Sequence, residues 1–118
     1  MDTDLRHEHC VACHPGQPAL TDTELREIGA RLPGWRVEPV DGIPHLTRTF
    51  AFPDFAAALA FTNRVGALAE AEGHHPALLT EWGKVTVSWW THAIGGLHHN
   101  DVVMAAKTDE AYGGAQAI

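Results

Sequence analysis

The sequence predicts an α+β fold: a four-stranded antiparallel sheet with three helices packed on one face, in the order α-β-β-α-β-β-α. Three observations carry that prediction. Stretches 45–52 and 84–91 alternate apolar and polar residues, the period of a half-buried strand. The stretch 54–73 repeats apolar residues at helical spacing. Asp41-Gly42 and Gly83-Lys84 fall where strand pairs need tight turns.

Residues 1–20 are irregular, with Pro15, Gly16 and Pro18, and read as an N-terminal arm. Thr21 and Glu24 form a capping box in which each side chain satisfies the other residue's backbone N–H. Leu25, Ile28 and Leu32 follow at helical spacing, and Pro33-Gly34 stops that helix. Residues 35–40 are short and β-prone. In 45–52, Leu46, Phe50 and Phe52 share one face, Thr47 and Thr49 the other, and Arg48 interrupts the apolar side. Asp54 caps a long helix whose apolar face is Phe55, Ala58, Leu59, Val65 and Leu68, and Gly73 is its left-handed terminator. Residues 78–82 form the third strand. In the fourth, 84–91, Val85, Val87 and Trp89 oppose Thr86, Ser88 and Trp90. Gly95-Gly96 breaks the chain before a last helix over 99–112, entered through His98-His99 with His98 or Asn100 as cap and Asp101 at the positive end of its dipole. Residues 21–112 are thus one domain, and 113–118 a frayed tail.

Charge and composition exclude several function classes. The chain has 118 residues and a formal net charge of -7, which disfavours sequence-independent binding to nucleic-acid phosphates. The longest strictly apolar run is 55–61, far short of the roughly 20 residues that span a membrane. The N-terminus lacks the basic start and apolar stretch of a secretory signal, so a cytoplasmic location is expected. Nine residues are histidine, the side chain best suited to proton transfer near neutral pH, and five of the nine lie between positions 74 and 99.

The strongest constellation is Glu70, His74-His75-Pro76, Trp82, His92 and Asp101. Antiparallel pairing of strands three and four sets the start of one beside the end of the other, which brings His74 and His75 near His92. A carboxylate on one ring nitrogen fixes the tautomer and leaves the other nitrogen to donate or accept. Zinc is the alternative reading. However, neighbours in an extended segment point to opposite sides, so His74 and His75 cannot easily share one ion. Trp35 is a candidate pocket wall or, equally, a buried structural tryptophan. Trp82, Trp89 and Trp90 read as core or interface aromatics.

The pattern Glu-x3-His-His-Pro-x5-Trp-x9-His-x8-Asp, here Glu70, His74, His75, Pro76, Trp82, His92 and Asp101, resembles the signature of pterin-4a-carbinolamine dehydratases. Gly34-Trp35, Phe52-Phe55, the stretch from Trp82 to His92 and Gly95-Gly96-Leu97 are similar to that family too, bacterial members in particular. The resemblance implies a hydro-lyase that removes water from 4a-hydroxytetrahydropterin to give quinonoid dihydropterin. It implies recycling of the pterin cofactor of aromatic amino acid hydroxylases, a possible partner, and a homodimer or homotetramer. It implies no metal and no organic cofactor. By the same resemblance His74, His75 and His92 line the pterin pocket. His75 and His92 are then expected to exchange protons with the leaving hydroxyl and N5, and His74 to position the ring. Glu70, Pro76, Thr91 and Asp101 support them. A protein-assembly or transcriptional-cofactor module of the same fold is the alternative.

Cys10-x-x-Cys13-His14, with His7 and His9 beside it, is a second constellation. Read literally it is a c-type haem attachment motif, which needs export. Cys10, Cys13 and flanking histidines could also hold zinc. The resemblance makes it a feature of bacterial dehydratases, with no physical role assigned.

Overall fold

The computed structural model describes residues 2–11 and 16–116. Cys13 and His14, two of the five residues of the cysteine constellation, lie outside them. Helix α1 spans Asp22–Arg31, strands β1 and β2 span Arg36–Val40 and Ile43–Ala51, and helix α2 spans Phe55–Glu72. Strands β3 and β4 span Ala77–Glu81 and Lys84–Trp89, and helix α3 spans His99–Gln116. The four strands form one antiparallel sheet in the order β1-β2-β4-β3, so the fold is the α+β arrangement that the alternation predicts.

Local chemistry sets the element ends. Thr21 and Glu24 exchange side-chain-to-backbone hydrogen bonds, completing the capping box. Asp54 accepts from the Ala57 N–H at the start of α2. Gly73 ends α2 with φ 64°, a left-handed conformation that a Cβ would penalise. Asp41 (φ 53°) and Gly42 (φ 79°) turn β1 into β2 with the paired positive angles of a two-residue hairpin.

The sheet's inner face supplies Leu46, Phe50, Val85, Val87 and Trp89, all essentially inaccessible. Against them pack Ile28 and Leu32 from α1 and its C-cap, Ala58, Phe61, Val65 and Ala69 from α2, and Val102 to Ala105 from α3. Arg48, the interruption in β2, does sit on this face. Its guanidinium lies 4.5 Å from the Phe50 ring centre and pairs with Asp109 at 2.7 Å, so the charge is matched. On the outer face, Thr47–Ser88 and Thr49–Thr86 hydroxyl pairs cross β2 and β4 at 3.0 and 3.1 Å.

Beside shifts of one or two residues at the ends of β1, β2 and β3, three differences from expectation have a structural reason. Strand β4 stops at Trp89 because Thr91 leaves the ladder to pair with Gly96, closing a small loop that holds a 3-10 turn at His92–Ile94. Helix α3 continues past Tyr112 to Gln116, so the expected tail is largely helical. Gly113 is not among the positive-φ glycines, and a helical glycine weakens a helix by only about 1 kcal/mol relative to alanine. The arm, read as irregular, begins with a 3-10 helix at Asp2–His7. Its Leu5 is 1% exposed and joins the core, and Lys107 of α3 donates to the Arg6 carbonyl at 2.8 Å.

Because Leu5 is a core residue, Leu5→Ala should lower stability by about 2–4 kcal/mol, read by denaturant unfolding. A change under about 0.5 kcal/mol, the size of an ordinary surface substitution, would show that the arm does not pack.

Candidate active site

Helix α2 ends at Glu72, and the left-handed Gly73 swings the chain so that His74 and His75 leave on different sides. His74 turns inward, with its side chain 11% exposed. Its Nε2–H donates to Asp101 Oδ1 at 2.6 Å, and its ring lies nearly parallel to Trp89 at 5.9 Å. His75 turns outward and donates from Nε2 to Glu70 Oε1 at 2.7 Å, both groups well exposed. The opposed directions follow from the extended backbone after the cap.

Asp101 is fully buried. Besides His74 it accepts from the Thr91 hydroxyl (2.8 Å) and from the His98 backbone N–H (2.9 Å), both on Oδ2. His98 Nδ1 in turn accepts from the Asn100 N–H at 3.0 Å. The His98 imidazole thus caps α3 where Ser or Thr is usual, accepting from the second residue of the helix, while Asp101 reaches back to the His98 N–H. This is how α3 begins without a hydroxyl cap. One carboxylate thus starts a helix, ties the end of β4 and fixes the tautomer of a histidine.

His92 opens the 3-10 turn beyond β4, beside the Trp90 ring at 4.5 Å. Trp90 also stacks on His45 at 3.9 Å and 3°. Burial pushes the His45 imidazole below its ordinary value, outweighing the attraction of Asp101, while His92 pushes the same way as burial.

The three histidines open on one pocket of about 310 Å³, at the small end of the roughly 300–1,000 Å³ typical of small-molecule sites. Its walls are Cys10, Val11, Glu72, Gly73, His74, His75, Thr91, His92, Ala93 and Asn100. The structure therefore gathers His74, His75, His92 and Thr91 at the pocket, with Asp101 and Glu70 behind two of the imidazoles. Pro76 sits between His75 and β3, outside the walls. Trp35 is not a wall: it is 5% exposed, packs edge-on to Phe50 and donates its indole N–H to Asp109 at 2.9 Å, the structural alternative. Trp89 is core, Trp90 stacks on His45 and lies tilted against His92, and Trp82 stands 73% exposed at the hairpin tip.

Sequence reasoning missed Cys10, Val11, Glu72 and Asn100. Glu72 accepts from the Cys10 N–H and from His9, each at 2.8 Å, and these bonds, the backbone one foremost, hold its carboxyl below the usual range. Asn100 clamps Val11 from both sides: its Oδ1 accepts from Val11 N–H (3.1 Å) and its Nδ2 donates to Val11 O (2.8 Å). Nothing local announces contacts between residues so far apart in the chain. Among the described residues, no three His, Cys, Asp or Glu side chains converge in a way that could hold a metal ion, and no helix is long and apolar enough to cross a membrane.

The lowered value of His45 has a consequence for stability. Between its folded value and about 6.5, the unfolded chain binds more protons than the folded one. His45 therefore contributes stability above pH 6.5, and the contribution is lost as pH falls toward the folded value. A ring-proton NMR titration should place the His45 midpoint below 6.5, and a midpoint at or above 6.5 would contradict the burial argument.

A family profile described as pterin 4 alpha carbinolamine dehydratase matches residues 18–111. The chain is 58% identical over 106 residues to a Gloeobacter violaceus protein named "Putative pterin-4-alpha-carbinolamine dehydratase 1", covering 90% of this chain and 91% of that one. It is 58% identical over 108 residues to a Chlorobaculum tepidum protein of the corresponding name, covering 92% and 97%. Among solved structures, a transcriptional coactivator/pterin dehydratase from Brucella melitensis aligns with a TM-score of 0.71 and 34% identity, over 80% of this chain and 98% of that one. A pterin dehydratase-like protein described as a RuBisCO assembly factor in the alpha-carboxysome aligns with a TM-score of 0.58 and 27% identity, over 68% and 90%. The family match and the relatives support pterin carbinolamine dehydratase activity.

Proposed function

This chain belongs to the pterin 4 alpha carbinolamine dehydratase family, and from that premise we propose that it dehydrates 4a-hydroxytetrahydropterin by histidine acid–base catalysis in the pocket of His74, His75 and His92. The observation that carries this reading is the convergence of three imidazoles on one small pocket, one of them anchored by a buried carboxylate.

The reaction needs little more than proton traffic. The C4a–O bond breaks, the departing hydroxyl takes a proton and leaves as water, N5 gives up its proton, and the N5–C4a double bond forms. One acid and one base suffice, and imidazole can be either near neutral pH. His75 and His92 take those two roles. His74 is the positioning group. Asp101 already accepts from Thr91 and the His98 N–H, so its carboxylate is read as the acceptor from His74 too, with the proton on Nε2 and Nδ1 left as the ring's other nitrogen. Glu70 orients His75 in the same manner at the exposed edge. The product is the quinonoid dihydropterin that a recycling route for aromatic amino acid hydroxylation has to reduce again. A homodimeric or homotetrameric assembly and contact with such a hydroxylase belong to the same proposal.

The solved relatives described as a coactivator and as an assembly factor raise a protein-binding role as the second reading. A pure scaffold would not need Asp101, Thr91 and His98 to hold His74 in one tautomer beside the pocket. That network favours catalysis.

Stopped-flow decay of 4a-hydroxytetrahydropterin should be faster with the protein than in buffer. His75→Ala and His92→Ala should each slow turnover by about 10²–10⁴-fold with circular dichroism unchanged. Folded wild-type protein that gives no acceleration would overturn the activity, and either variant at full rate would overturn its assigned role.

A further inference from the structure

The arm reaches the pocket already ordered. Leu5 is buried, Arg6 pairs with Glu110 at 3.2 Å, and Glu8 accepts from His99 at 2.8 Å. His9 and the Cys10 N–H then converge on Glu72, whose side chain is 10% exposed, and Asn100, 2% exposed, grips both backbone polar groups of Val11. Six residues between Leu5 and Val11 are therefore anchored, all but His7, and the last two are pocket walls. Asn100 adjoins Asp101, so one turn of α3 holds both the arm and His74.

We propose that the arm is the specificity wall of this pocket: Cys10 and Val11, fixed by Glu72 and Asn100, set the size and shape of the pterin bicycle that the three histidines can receive. This rests on the dehydratase reading and adds a positioning element to it. The Cys10 N–H is taken by Glu72 and both backbone polar groups of Val11 by Asn100, so the wall is assigned to contact of the two residues with the ligand rather than to those backbone hydrogen bonds. Such a wall acts through shape and van der Waals contact. Because it is pinned before the ligand arrives, its ordering entropy is not charged to binding. It touches no reacting atom, so it governs binding more than the proton steps.

The test combines steady-state kinetics with equilibrium binding of 7,8-dihydropterin, read by ligand fluorescence. Val11 is 62% exposed, so replacing it need not disturb folding. Val11→Trp should raise KM and the dihydropterin Kd on the order of 10-fold, with kcat within about twofold and the pH–rate profile in place. Val11→Ile should restore wild-type values. Asn100→Asp, which keeps the shape but loses the donor to Val11, should weaken binding in the same direction. Val11→Trp and Asn100→Asp with wild-type KM and Kd, in a wild-type background that turns over substrate, would overturn the arm's role and leave the dehydratase reading standing. Wild-type protein that neither binds dihydropterin nor accelerates dehydration would overturn that reading, and the wall with it.

Discussion

The buried Asp101 carboxylate is the constraint on which the rest of the site depends. A fully buried charge is costly unless hydrogen bonds surround it. Here three donors do so: His74, Thr91 and the His98 backbone. They come from the loop after α2, the end of β4 and the N-cap of α3. Satisfying one carboxylate therefore sets the relative position of three segments. The helix dipole of α3 adds to the effect, because Asp101 sits in its first turn. The tight loop between Thr91 and Gly96 follows, since Thr91 must stay within reach of Asp101 while the chain turns toward α3.

Helix α3 shows a second consequence. From Asn100 to Thr108 nearly every side chain is buried, so the helix has no ordinary solvent face there. The sheet and α2 cover one side and the arm's 3-10 helix covers another. A helix buried around its circumference cannot display a clean apolar stripe. The arm is thus part of the packing, and its docking on α3 and on the end of α2 delivers Cys10 and Val11 to the pocket.

Much of this was legible in the sequence, for a physical reason. Caps and turns are local: Thr21 with Glu24, Asp54, Gly73 and Asp41-Gly42 act on backbone groups within a few residues, so composition at those positions suffices. The meeting of His74 and His75 with His92 was legible because a hairpin fixes which ends adjoin. The arm was not legible. His9 and Glu72, Cys10 and Glu72, and Val11 and Asn100 are 63, 62 and 89 residues apart, and no periodicity links them. Trp35 was ambiguous because an indole lines pockets and fills cores equally well, and only the position of Asp109 decides it. The cap of α3 was half legible. His98 was a candidate, but the bond from its N–H to Asp101 depends on a carboxylate that also serves His74.

Structure and chemistry meet at His74, where a fold-determining carboxylate becomes a tautomer-determining one. The most direct measurement is a long-range proton–nitrogen NMR spectrum of the histidine rings, recorded with and without 7,8-dihydropterin. The account predicts that His74 carries its proton on Nε2 in both spectra. It also predicts that dihydropterin shifts His74, His75 and His92 while His99, bound to Glu8 on the arm, stays in place. A His74 protonated on Nδ1 alone, or dihydropterin that binds without moving those three rings, would contradict it.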